Sequence, residues 1–209
     1  MRDARQLAAH VRRIHASICA VCVFGSVARG DATPGSDIDL LVLTDDRTVT
    51  RRAVTDGLPP QPRAFPISVA CFSVAGLAAV MRRGDSFARH LQNECVVAWQ
   101  RDGEATAVLA IRPTATTAAA EVSRHLDRLQ AFERPQRFND RFLFPLADLY
   151  VIAKAVVMAR LTVEGAPEYN RARAFAAMRQ RHPELGRSLD RLGGLSPFWE
   201  VTSGRDPGA

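Results

Sequence analysis

Phe24 to Leu43 reads FGSVARGDATPGSDIDLLVL, and two sets of residues in it could do chemistry. Asp37 and Asp39 flank Ile38 at the head of an apolar run, and ten residues separate Asp37 from the Gly25-Ser26 pair. Acids are poor strand formers. On a strand, residues two apart project to one face, so Asp37 and Asp39 share a face while Ile38 and Leu40 take the other. Adjacent carboxylates repel unless a cation lies between them or they share a proton. Oxygen-only ligands of this kind suit Mg²⁺ (or Mn²⁺), which also takes phosphate oxygens and water. At Gly25 the missing side chain lets a bulky anion approach the backbone. The Ser26 hydroxyl and the N–H groups of the following turn can hold phosphate oxygens, and Arg29 adds a positive charge nearby. A phosphate grip beside metal carboxylates suits transfer of a nucleotidyl group from a metal-held triphosphate.

The surrounding pattern supplies the elements that must position these groups. Residues 3–16 read as an amphipathic helix with Leu7, Val11 and Ile14 on one side. ICAVCVF (18–24) is a buried strand ended by Gly25-Ser26, and Gly30 to Ser36 is a loop with a Pro34-Gly35 turn signal. DIDLLVLT (37–44) is a second strand. Residues 47–63 are polar and Pro-rich, with room for a short helix, and AFPISVACF (64–72) is a third strand. Helices are expected over 74–83, where Ser73 is the cap, and near 86–92, with a fourth strand over 94–100. From Thr117 the period becomes helical. FLFPLADLYVIAKAVVMARL (142–161) reads as one long helix, apolar on most sides, whose polar members Asp148, Lys154 and Arg160 each need a partner. Helices near 170–181 and 184–192 follow, and the Gly/Pro-rich tail from Ser203 is loose. The expected organisation is a mixed unit over residues 1–105 and a helical unit over 106–209.

Composition sets bounds. The 209 residues are 47% apolar and 24% charged, in the range of globular chains. No stretch of eighteen apolar residues occurs, so no membrane span is expected. The N-terminus MRDARQLAAHVRRIH lacks a secretion-signal apolar core, so the cytoplasm is the expected compartment. The net charge of +6 rests almost wholly on arginine, Lys154 being the one lysine. Arginine forks match phosphate, but a mild excess spread along the chain reads first as solvated surface. Cys19-x-x-Cys22 has metal or redox spacing. On a strand residues three apart face opposite ways, so buried free thiols are expected.

Gly25-Ser26, ten residues, then Asp37-Ile38-Asp39 resembles the signature of the DNA-polymerase-β-like nucleotidyltransferase superfamily. The fuller string GSVARG…SDIDLLV resembles its minimal branch, which includes antitoxin nucleotidyltransferases and relatives of the aminoglycoside nucleotidyltransferases. The likeness covers residues 18 to about 103 in order of elements. It implies an α+β (α/β-type) fold: a polymerase-β-like nucleotidyltransferase domain on a small mixed sheet, followed by an α-helical bundle. It further implies that Asp37 and Asp39 bind the metals holding the triphosphate and that Gly25 and Ser26 grip the phosphates.

The family commonly places a third carboxylate on the next core strand, where it joins the second metal and activates the attacking hydroxyl. Here that strand reads Pro66-Ile67-Ser68-Val69-Ala70, and Ser68 takes the acid's expected place. Either another carboxylate serves as base, as in some aminoglycoside nucleotidyltransferases, with Asp148 favoured over Asp140, or the second metal site is lost and the chain binds nucleotide without efficient transfer. Lys154 lies four residues after Tyr150 on one helical face. It either contacts triphosphate, with Tyr150 stacking on a base, or snorkels beside a core tyrosine. His90, His125 and His182 read as structural or exposed. Arg171, Arg173, Arg179 and Arg181 form a basic helix that is either a solvated face or a nucleic-acid surface. The expected substrates are an NTP and a hydroxyl acceptor, with a small molecule, a protein partner or RNA left open as that acceptor.

Overall fold

The computed structural model describes residues 2–33, 36–59, 66–113, 118–134 and 141–202. The expected Pro34-Gly35 turn, the first residues of the third strand, Asp140 and the tail from Ser203 lie outside these residues.

The chain divides into two compact units, Met1–Ala115 and Thr116–Ala209. In the first unit, α1 (Arg2–Val11) leads to β1 (Ile18–Phe24), the short α2 (Gly25–Arg29), β2 (Ile38–Thr44), α3 (Arg51–Asp56) and β3 (Ile67–Ser73). Then come α4 (Val74–Arg83), α5 (Ser86–Glu94), β4 (Val96–Gln100) and α6 (Glu104–Leu109). The four strands form one sheet in the order β3-β2-β1-β4. β1 runs antiparallel to both β2 and β4, while β2 and β3 are parallel and joined through α3. This is a mixed α+β architecture.

Period-two alternation sorts the side chains of β2 onto two faces. Leu40 and Val42 join Val21 and Val23 in a core closed by Ala8 and Val11 of α1 and Val54 of α3. Leu41 and Leu43 join Cys22 and Phe24 in a second core under Leu77 and Met81 of α4, Leu91 of α5 and Val108 of α6. The first unit therefore runs past residue 105, because α6 buries Ala105 and Val108 in its core.

Two local expectations are corrected. α1 ends at Val11, where the bonds tighten: Arg13 N–H donates to His10 O and Ile14 N–H to Val11 O, each at 3.0 Å. Leu7 and Ile14 still pack on the same core. Cys19 and Cys22 both enter the core under α4, because β1 is irregular between Ile18 and Ala20 and between Val21 and Cys22, which breaks strict alternation. Both are free thiols, and burial pushes the Cys19 thiol up to about 11, which makes it a poor nucleophile.

Helix ends follow the capping rules. Ser73 Oγ accepts from Gly76 N–H at 3.1 Å, and Asp85 Oδ1 accepts from Ala88 N–H at 3.0 Å. In the second unit, α7 (Ala118–Leu129), α8 (Leu143–Val163), α9 (Arg171–Arg181), α10 (Gly186–Gly193) and α11 (Ser196–Thr202) follow one another. The core forms where Tyr150, Val157 and Leu161 of α8 meet Ala174, Phe175 and Met178 of α9 and Leu189 of α10. No helix among the described residues is long and apolar enough to cross a membrane.

Leu41 is fully buried between the neighbouring strands. Leu41→Ala is expected to cost about 2–5 kcal/mol by transfer and cavity terms, read as a lower urea midpoint with an unchanged slope.

Candidate active site

The head of β2 lies between two strands. In register, Asp39 stands opposite Phe24 of β1 and beside Ser68 of β3. The three residues form one row across the sheet, on the face that carries Leu41 and Leu43 further along. Burying this row as densely as Leu41 would strand a carboxylate. Instead Asp37, Asp39 and Ser68 are all half-buried, and the row sits at the rim of the sheet.

β1 leaves the sheet at Phe24, and Gly25 turns the chain with φ +73°. A Cβ at Gly25 would lie 2.3 Å from Asp39 Oδ2 and 3.2 Å from Asp39 Cγ. Only glycine allows both the dihedral and this approach of carboxylate to backbone. The turn continues through half-buried Ser26 to Arg29. It closes where Gly30, at φ +80°, donates to Val27 O at 3.3 Å and Asp31 N–H donates to Ser26 O at 3.1 Å. Just before Asp37, Ser36 N–H donates to Thr33 O at 2.9 Å and Thr33 N–H donates to Ser36 Oγ at 2.9 Å.

Gly25, Ser26, Asp39 and Ser68 are thus brought together at one end of the sheet, with Asp37 entering β2 beside them. Among the described residues no group of three or more His, Cys, Asp or Glu is placed to hold a metal. The oxygen donors of Asp37 and Asp39 are of the kind Mg²⁺ takes, since that ion commonly uses one or two protein carboxylates with substrate phosphates and water. The space left by the missing Gly25 Cβ is taken by the Asp39 carboxylate itself.

Arg29 is differently engaged from the sequence expectation. Its Nε donates to Asp31 Oδ1 at 3.1 Å and Oδ2 at 3.2 Å, and its Nη1 donates to Glu94 Oε2 at 2.5 Å. His90 Nε2 donates to the same oxygen at 2.7 Å. Burial pushes the Glu94 carboxyl up, but the hydrogen bonds and charges of His90 and Arg29 outweigh it and hold the group below the ordinary range. Asp31 is half-buried in this ion pair. The His90–Glu94 spacing of four was visible in the sequence. The link to Arg29, 65 residues away, was not.

The other expected residues lie in the second unit. Asp148 is exposed on α8. Lys154 is half-buried, with Nζ 5.3 Å from the centre of the Trp199 ring, a cation–π contact. Tyr150 is 1% exposed and stacks on Phe175 with ring centres 6.3 Å apart. It is a core residue, and the reading in which it stacks on a base is set aside. The arginines of α9 are matched by acids: Arg171 with Glu200 at 3.2 Å, Arg173 with Glu168 at 3.0 Å, Arg179 with Asp190 at 2.6 Å and Arg181 with Glu164 at 3.8 Å. Glu164 is shared with Arg160 at 2.6 Å.

Residues 4–60 match the family described as a nucleotidyltransferase domain. No curated protein matches the chain. Among solved structures, the spectinomycin adenyltransferase AAD(9) from Enterococcus faecialis, crystallised with ATP and spectinomycin, is similar over 88% of this chain and 85% of its own, with 12% identity and a TM-score of 0.57. At that identity the likeness is one of fold. A toxin–antitoxin structure with AMP-PNP aligns with 67% of this chain and 98% of its own at 16% identity, with a TM-score of 0.35, too loose a superposition to bear on the fold.

Gly25→Ala is expected to lower the melting temperature and weaken Mg²⁺-dependent nucleotide binding together, because the new methyl and the Asp39 carboxylate claim one space. Thermal melts with and without Mg²⁺ and ATP check this. The sign of the Glu94 effect is also fixed. A carboxyl held below its ordinary value of 4.5 stabilises fully above that pH, and the contribution is lost as pH falls through the lowered value. Acid melts of Glu94→Gln should show a shallower loss of stability over that range than wild type.

Proposed function

We propose that this chain, whose residues 4–60 match the nucleotidyltransferase domain family, is a member of the DNA-polymerase-β-like nucleotidyltransferase superfamily and moves a nucleoside monophosphate from an NTP to a hydroxyl acceptor with release of pyrophosphate. The observation that carries the reading is the contact at Gly25. Gly25 sits at positive φ, and the room left by its absent Cβ is taken by the Asp39 carboxylate, which sets that acid directly against the backbone turn.

In this reading Asp37 and Asp39 hold Mg²⁺, or Mn²⁺ in its place. The ion supplies charge neutralisation for the triphosphate and its pyrophosphate leaving group. The Gly25 turn and the Ser26 hydroxyl receive phosphate oxygens and hold the α-phosphorus in line with the acceptor. A carboxylate of the second unit accepts the acceptor's proton as its oxygen bonds to the α-phosphorus and the bond to pyrophosphate breaks. Asp148, exposed on α8, is the candidate base, and Lys154 is a candidate for the triphosphate. A cytoplasmic setting, with its NTP supply, suits this chemistry.

Ser68 favours a second reading. It stands in register with Asp39 and offers a hydroxyl, which is a weak metal ligand and no base at neutral pH. A chain without a substitute base would bind Mg²⁺ and NTP as a nucleotide- or protein-binding, antitoxin-like module and not turn over.

Pyrophosphate release with each NTP separates the two, measured against an acceptor panel of polyhydroxylated small molecules (spectinomycin among them), protein and RNA. Under the first reading, Asp39→Ala abolishes at least about a hundredfold of the turnover and Asp148→Asn about as much. Full activity in Asp39→Ala would remove the metal assignment. Under the second, wild type shows a Mg²⁺-dependent thermal shift with NTP and no turnover, and Ser68→Asp creates activity.

A further inference from the structure

We propose that Glu94 is a positioning residue. From the end of α5 it holds Arg29 and His90, and through them it fixes both ends of the Gly25–Asp31 turn in the shape that receives phosphate.

The turn is poorly held by its own backbone. α2 spans five residues with no side-chain cap, far shorter than a helix that is stable by itself. Positive-φ glycines bracket it at Gly25 and Gly30, and the two closing bonds at Gly30 and Asp31 are 3.3 and 3.1 Å long. Side chains from α5 supply what the backbone lacks. At the far end, Arg29 bridges Asp31 and Glu94. At the near end, Phe24, the residue before Gly25 and the register partner of Asp39, carries the His90 ring on edge with centres 5.5 Å apart. His90 and Arg29 meet at one atom, Glu94 Oε2.

The Glu94 side chain is only 8% exposed and that of Arg29 15%. Taking an ion pair out of water costs much of what the pairing returns, so a buried pair is better suited to fixing an arrangement than to adding stability. The same geometry turns Arg29 toward two acids, away from a direct phosphate role. Removing Glu94 would leave Arg29 with only Asp31 among these bonds and take the Glu94 bond from the ring that braces Phe24.

The inference rests on the proposed function only in taking triphosphate as the ligand. Its test therefore has a readout that needs no nucleotide. Amide hydrogen exchange at Gly30 and Asp31 and calorimetric titration with Mg²⁺ and each of the four NTPs are measured on the full chain for wild type, Glu94→Gln, Arg29→Lys and Glu164→Gln. Glu164 is the control: it collects His182 at 2.8 Å and Arg160 at 2.6 Å in the second unit, a comparable hub remote in sequence from the turn.

Glu94→Gln and Arg29→Lys are expected to speed exchange at both amides and to weaken NTP binding by about tenfold, the weight of one hydrogen bond to a charged group. Glu164→Gln is expected to lower the melting temperature and change neither. If Arg29 itself grips phosphate, Glu94→Gln tightens NTP while Arg29→Lys weakens it, and the proposal is overturned. Unchanged exchange in Glu94→Gln overturns it as well, whether or not NTP binds. Faster exchange in a chain whose wild type binds no NTP keeps the positioning role and removes the transferase reading. Should Glu94→Gln fail to fold, Arg29→Lys, which keeps the charge but not the fork, decides between these outcomes.

Discussion

A side chain that is absent organises the first unit. Where β1 turns out of the sheet, Gly25 leaves an opening that the Asp39 carboxylate enters from the next strand. The approach requires β1 and β2 to be paired so that Phe24 faces Asp39, and β2 to keep Leu40 and Leu41 on opposite sides. A one-residue slip would send the acid into one core and a leucine to the rim. The apolar packing on both faces of the sheet is therefore also what aims the carboxylate.

Charge is placed with similar economy. The sequence carries a net charge of +6, yet its most basic helix, α9, has each of its arginines against an acid. In the first unit Arg29 is likewise turned inward, toward Asp31 and Glu94. The basic composition thus gives little guide to where anions bind. Arg12 even lies over Trp99, 5.6 Å from the ring centre, where its stem and charge cover the edge strand.

What could be read from the sequence was local. The apolar run after Asp37 with its two-residue alternation, and the glycine-serine pair ten residues upstream, suffice to place the strands and the head of β2. The long helix through Tyr150 and Lys154 was equally plain, because an all-round apolar segment of that length has few alternatives. The rest depended on distant partners or small irregularities. The Arg29–Glu94 bond spans 65 residues. The two bulges that turn Cys19 and Cys22 into one core arise from pairing with strands on either side. α6 and α11 are six and seven residues long, too short for periodicity to announce. Tyr150 and Asp148 lie two apart on one helix, one buried and the other exposed, a difference set by which neighbours cover α8.

The chain has two tryptophans, and each unit holds one. Trp99 lies on β4 under Arg12. Trp199 lies on α11 with Lys154 and Arg171 5.3 and 5.4 Å from its ring centre. Every unit thus contains its own indole fluorophore, perturbed by cations that leave it when that unit melts. Emission from the two single-tryptophan forms would resolve whether the sheet and the helical bundle come apart in one transition or in two, without any label being attached.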